Sequence, residues 1–305
     1  MPERTNDDGA AVDPGASDAG VWATPLDRRT RRRWRTVGTV AGLVLLLAAL
    51  AVLLLRGQEL PLALEALRSP SPTALLALAG SLLGSTLLST IVLKVLIERH
   101  GRVGWREMFE LVCSSTLGNF IPLQPGLAGR VAYHHLVNRI PVQRTVLSLL
   151  EATLASAVSV GLLLAALWAH SRFGAQLPWW SPALAGLVAL PLLPSPRLRP
   201  FAWALAARWL ELLLWGVRAW ACFALVGETI SPHAALAFGC VAVSANLVPF
   251  IGNGLGIREW AVGLLATPLA GIPLSAGLAA ELVGRAAELL FFVPAGLWAG
   301  RCVVS

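Results

Sequence analysis

Apolar runs recur along this chain, separated by short polar turns and, in two places, interrupted from within. The first, VGTVAGLVLLLAALAVLLL (37–55), would span about 28 Å as a helix, close to the roughly 30 Å hydrocarbon core of a bilayer. Runs at 73–97, 145–168, 181–194, 201–227 and 273–300 predict five more spans. Two others, 108–136 and 231–270, begin apolar and break half-way, each predicting a re-entrant hairpin or a broken span. The pattern predicts an all-α, polytopic helical membrane protein with two broken or re-entrant elements.

Composition supports this. The 305 residues are 56% hydrophobic and 13% charged, against about 25% charged for a soluble domain. The net charge of +7 is concentrated rather than spread. Six arginines crowd into DRRTRRRWR (27–35), directly before the first run, where the positive-inside rule places cytoplasmic charge. Nucleic acid is therefore not an expected partner, since it would need a basic face with stacking aromatics on a folded domain. Residues 1–26 are acidic and rich in Gly, Ala and Pro, which predicts a disordered segment. Residues 1–35 thus read as a cytoplasmic tail with a basic juxtamembrane cluster, and 36–301 as the transmembrane domain. The first run starts too late and is too long for a cleaved signal peptide. The expected location is the cell (inner) membrane, multi-pass, with the N-terminus cytoplasmic.

Candidate chemistry is sparse. Cys113, Cys222, Cys240 and Cys302 show no paired spacing, so neither a disulfide nor a metal site is predicted. No aspartate follows Asp27, and neither HExxH nor GxSxG occurs. No cofactor and no catalytic residue is predicted.

The two interruptions resemble each other. LGNFIPLQPGLAGR (117–130) and SANLVPFIGNGLGIR (244–258) match Asn119 with Asn246 and Pro122 with Pro249. Gly126 and Arg130 answer to the cluster Gly254, Gly256 and Arg258, and farther on Glu151 answers to Glu281. Proline removes a backbone donor and glycine loosens a helix, which is tolerated at membrane depth only inside protein or beside a wet cavity. Paired interruptions in two halves of a chain point to a transporter binding site. Counting spans from a cytoplasmic N-terminus, the two breaks enter from opposite faces, which predicts an inverted repeat.

Arg258, Glu259, Glu281, Arg285 and Glu288 gather near the second break. Arginine at a helix centre costs about 2.5–3.5 kcal/mol on insertion scales, so it needs a partner or a purpose. Glu281 and Arg285, four apart, are expected to pair on one helix face. Arg130, Arg258 and Arg285 suit a phosphate, because guanidinium forks match its geometry and helix N-termini add donors. Glu259, Glu281 or Glu288 would hold a cationic headgroup or exchange a proton. Arg208, Glu211 and Arg218 read as an internal network or as side chains that snorkel to the interface, and His134 and His135 as interfacial.

GLGIRE (254–259), following Pro249, resembles the "P…GlGxxE" motif of the lysylphosphatidylglycerol synthase transmembrane-region family, the flippase-like integral membrane proteins. Pro122-x3-Gly126-x3-Arg130 resembles the same family's "PxxxGExxR", although Leu127 stands where that family often has an acid. The likeness covers roughly 36–301. It implies a domain that moves a phosphate-bearing lipid, a modified phospholipid or a polyprenyl-linked glycan, between leaflets, with a lipid-modifying enzyme as a conceivable partner. The implied site is Asn119, Pro122, Gly126 and Arg130 from one side and Asn246, Pro249, Gly254, Gly256, Arg258 and Glu259 from the other, with Glu281 and Arg285 beside them. On this reading Arg258→Ala abolishes translocation and leaves folding intact. The aminoacyl-transferase domain of some members has no counterpart here, so synthase activity is not expected. The alternative is a membrane-embedded glycosyl- or phospho-transferase, or its accessory subunit, acting on a polyprenyl-phosphate lipid.

Overall fold

The computed structural model describes residues 70–121, 124–173, 178, 180–248 and 252–304, together with the helical positions 47 and 51. The tail, nearly all of the first apolar run, Pro122 and Pro249 lie outside the described residues.

The described chain is helical. Helix α1 runs Pro72–Ile97, α2 Trp105–Asn119, α3 Pro125–Leu136 and α4 Val142–Phe173. A 3-10 helix, Ser181–Leu192, separates these from α5 (Arg199–Leu225), α6 (Pro232–Asn246), α7 (Ile257–Ala270) and α8 (Leu274–Val304). Prolines set several starts: Pro72, Pro125 and Pro232 sit in the first turn, where the missing N–H costs nothing and φ is already helical. Ser231 adds a side-chain cap, its Oγ accepting from the Ala234 N–H at 3.2 Å. The first four helices have 26, 15, 12 and 32 residues, the last four 27, 15, 14 and 31. A long–short–short–long quartet is laid down twice.

The predicted spans fare unevenly. Among the described residues α1 and α4 are long and apolar enough to cross a membrane. Helices α5 and α8 are as long but carry Arg208, Glu211, Arg218, Glu281, Arg285 and Glu288. The run at 181–194 is a 12-residue 3-10 helix interrupted by Pro191 rather than a full span.

Both membrane-length helices bury hydroxyls beside apolar side chains and leave large apolar residues exposed. In α1, Ser81, Ser85, Thr86 and Thr90 are buried while Leu76 is 74% exposed. In α4, Thr145, Ser148, Ser156 and Ser159 are buried while Leu150 is 61% exposed. Several of these hydroxyls donate to carbonyls of their own helix, Ser81 to Leu78 and Ser159 to Ala155 at 2.8 Å each, so their burial leaves those donors satisfied.

The core is built around α1 and α5, which pack along each other, with α6 against α5 and α8 against α2 and α7. The α5–α6 crossing is close because both helices present glycine. A Cβ on Gly239 would lie 2.7 Å from the Gly216 nitrogen.

Candidate functional site

Each short–short pair is one of the two interruptions. Helix α2 ends at Asn119, the chain turns through Gln124 at φ 45°, and Pro125 restarts it as α3. Asn119 Oδ1 accepts the Leu127 N–H across the break at 3.1 Å, satisfying one of the free donors of the α3 N-terminus. In the second half α6 ends at Asn246, and the chain passes Asn253, Gly254 and Gly256 at φ 48°, 67° and 80° before α7. The glycines carry the likeness. A Cβ on Gly126 would lie 2.5 Å from Asn119 Oδ1, and one on Gly254 would lie 3.1 Å from Asn246 Oδ1. In both breaks, then, the asparagine amide rests on the returning glycine.

Gly126 is the tighter of the two, since its added Cβ would also meet the Ser115 carbonyl oxygen at 1.8 Å. Gly126→Ala is expected to lower stability by about 2–3 kcal/mol through overpacking, read as a lower unfolding midpoint in detergent. An unchanged midpoint would mean that the break is loosely packed.

Behind the second break lies a buried ion network. Glu288 is its hub: Oε1 accepts from Arg218 Nη1 and Arg258 Nη1 at 2.9 Å each, and Oε2 from Arg285 Nη1 at 3.3 Å. Arg258 also pairs with Glu281, and Arg285 Nε donates to Glu259 Oε1 at 3.0 Å. Arg285 Nη2 reaches the Asn253 carbonyl at 3.1 Å, tying the network to the break itself. Trp215 covers one side, 4.0 Å from the Arg218 guanidinium carbon and 5.3 Å from that of Arg258. Arg258 and Glu259 are fully buried. The expected Glu281–Arg285 pair does not form, because α7 brings Arg258 and Glu259 against α8 and each side chain finds its opposite charge across the helix boundary.

Between the two breaks is a polar cavity of about 230 Å³, its wall including Asn119, Arg130, Arg208, Arg218, Asn246 and Asn253. A second, largely apolar compartment of about 320 Å³ adjoins it and shares Arg130, Arg208, Trp215 and Asn246. Val146, Leu149 and Leu150 of α4 face it from one side, Val243 and Leu247 from the other. Since Leu150 is also 61% exposed, this compartment reaches the outer surface of the molecule alongside α4.

Arg130 is the unusual residue of the cavity. It is 6% exposed, makes no ion pair among the described residues, and keeps Nε without a partner. Its Nη2 donates to the Ser115 hydroxyl, a neutral acceptor. The neighbouring Arg208 is balanced by Glu211 at 2.5 Å, with Ser89 bridging both. Asn246 Oδ1 is likewise buried without a donor. Burying a cation without a counter-ion is costly, and here the uncompensated charge borders empty space of ligand size.

Of the predicted site residues, Asn119, Arg130 and Asn246 line this cavity. Gly126 and Gly254 support it from behind, and Gly256 precedes α7. Arg258, Glu259, Glu281 and Arg285 belong to the network, where carboxylates and arginines are already paired. Arg208, Glu211 and Arg218 do form internal pairs, yet they also face the cavity. Together with Trp215 they were open to recognition, since positions 208, 211, 215 and 218 fall on one helical stripe. Glu151, the repeat-mate of Glu281, pairs instead with Arg99. His134 is fully buried rather than interfacial, its Nδ1 2.9 Å from Asn138 Oδ1.

No family model, no curated protein and no solved structure matches the chain.

Proposed function

We propose that this chain is a multi-pass membrane protein that moves a phosphate-bearing lipid between leaflets. The observation that carries the reading is Arg130: a buried guanidinium without a counter-ion, lining a polar cavity that opens through an apolar groove to the outer surface. Phosphate would complete Arg130, as a guanidinium fork suits it, and the groove along α4 would take the lipid's chain.

The exposed apolar faces of α1 and α4 support a lipid environment. Large exposed apolar faces are unusual for soluble monomers, and hydroxyls sit among the buried side chains of both helices. The twice-repeated quartet supports two related halves, which we read as inverted about the cavity. The sequence likeness to the flippase-like family points the same way, and the arginine cluster at 27–35 supports a cell (inner) membrane location with a cytoplasmic N-terminus.

The cavity favours transport over transferase chemistry. Its two carboxylates are held by arginines, Glu211 by Arg208 and Glu288 by Arg218, so neither is a ready base.

Reconstitution tests the proposal. In liposomes carrying a headgroup-labelled anionic lipid, the purified protein is expected to increase the label reachable by an impermeant quencher, relative to empty liposomes. Equal accessibility, with a labelled-sugar or phosphoryl product instead, would replace transport by transfer.

A further inference from the structure

The charges around the cavity count out the ligand. Arg130, Arg208 and Arg218 face it with Glu211 and Glu288, and Glu288 leads to Arg258, Arg285, Glu281 and Glu259. These five arginines are matched by four glutamates, all four engaged in ion pairs. One positive charge is left over, and geometry assigns it to Arg130, the member without an ion pair among the described residues. The nearby pairs Lys94–Glu98 and Arg106–Glu110 balance themselves and leave this count unchanged.

We infer that the cavity selects a phosphodiester lipid with a net charge of minus one and an uncharged, hydrogen-bond-donating headgroup. The inference rests on the lipid-site reading and deepens it. A phosphodiester neutralises the single surplus charge. A phosphomonoester, close to minus two above its second pKa of about 6, brings one charge too many into a site of low dielectric. An aminoacylated headgroup brings cations, and no carboxylate of the cavity is left to receive them. Asn119 and Asn246 line the same wall, and side-chain amides suit a headgroup hydroxyl.

The expectation that Glu259, Glu281 or Glu288 would hold a cationic headgroup is revised accordingly. Glu259 and Glu281 do not line the polar cavity, and Glu288 is shared by three guanidiniums.

Native mass spectrometry of the purified full chain at pH 8 tests this with short-chain phosphatidylglycerol, phosphatidic acid, lysyl-phosphatidylglycerol and phosphatidylethanolamine as probes. Phosphatidylglycerol is expected to bind about tenfold tighter than each of the others, the scale of one unmatched charge in a partly buried site. Glu211→Gln raises the surplus to two and is expected to reverse the order in favour of phosphatidic acid. Arg130→Gln removes the surplus and is expected to abolish the preference for phosphatidylglycerol over phosphatidylethanolamine, which keeps the test open should Glu211→Gln fail to fold. Inorganic phosphate at the same concentration is expected not to displace the lipid, because the apolar groove contributes. Lysyl-phosphatidylglycerol binding as tightly as phosphatidylglycerol, or preferences insensitive to both variants, would overturn the charge rule while the lipid site stands. Absence of specific binding by any lipid, or full displacement by inorganic phosphate, would overturn the lipid-site reading together with the inference.

Discussion

Arg258→Ala is expected to unfold the protein more readily, by about 3–5 kcal/mol, the cost of breaking a buried ion pair by removing one partner. Its guanidinium serves two carboxylates, Glu281 and Glu288. Once it is removed, Glu281 has no arginine among the described residues, and Glu288 keeps Arg218 and Arg285. Both carboxylates lie in the contact between α7 and α8, so their repulsion and desolvation fall on the packing of the second break. The measurement is a denaturant or thermal midpoint in detergent for wild type, Arg258→Ala and Arg258→Ala/Glu281→Ala. The double variant removes the stranded carboxylate and is expected to recover part of the loss. A single variant as stable as wild type would mean the network is not formed. The sequence alone gave Arg258 a direct ligand role with folding intact. Its complete burial and double pairing move the expected effect to stability.

Arg130→Gln is expected to do the opposite. Translocation of an anionic lipid should fall about tenfold or more, corresponding to loss of a charge-assisted contact worth about 1.5–3 kcal/mol. Stability should hold or rise, because the variant removes a buried charge that no described carboxylate balances. The glutamine amide can still donate to the Ser115 hydroxyl, whose own proton goes to the Val112 carbonyl. Quencher accessibility in liposomes reports the first effect and the unfolding midpoint the second. If stability fell with transport, Arg130 would be a structural residue and the site reading would lose its anchor.

These two arginines also mark what could be read from the sequence. Periodicity and length placed the long helices within a few residues: 73–97 became Pro72–Ile97, and 273–300 became Leu274–Val304. Both interruptions fall where Asn119 and Asn246 predicted them, because proline and clustered glycine act locally on the backbone. The likeness between the halves was visible in the same residues. The roles of individual charges were not. Arg130 and Arg258 occupy comparable places after the two breaks, and nothing local says that α8 supplies Glu281 and Glu288 to one of them. The other receives only Ser115 from α2. Such pairing depends on which helices pack together, which a single sequence does not display. The stripe Arg208, Glu211, Trp215 and Arg218 was legible as a polar face of α5. That it faces a cavity follows only from the way the two breaks meet across it.

The central claim is that Arg130 holds a lipid's phosphate while the chain lies along α4. Photo-crosslinking tests it most directly. A phosphatidylglycerol with a diazirine in its acyl chain would be activated on the purified full chain and the labelled peptides mapped. The expected result is labelling concentrated at Val146, Leu149, Leu150, Val243 and Leu247, the walls of the groove, and lost in Arg130→Gln. Labelling spread over the exposed leucines of α1 and α8, unchanged by the substitution, would contradict it.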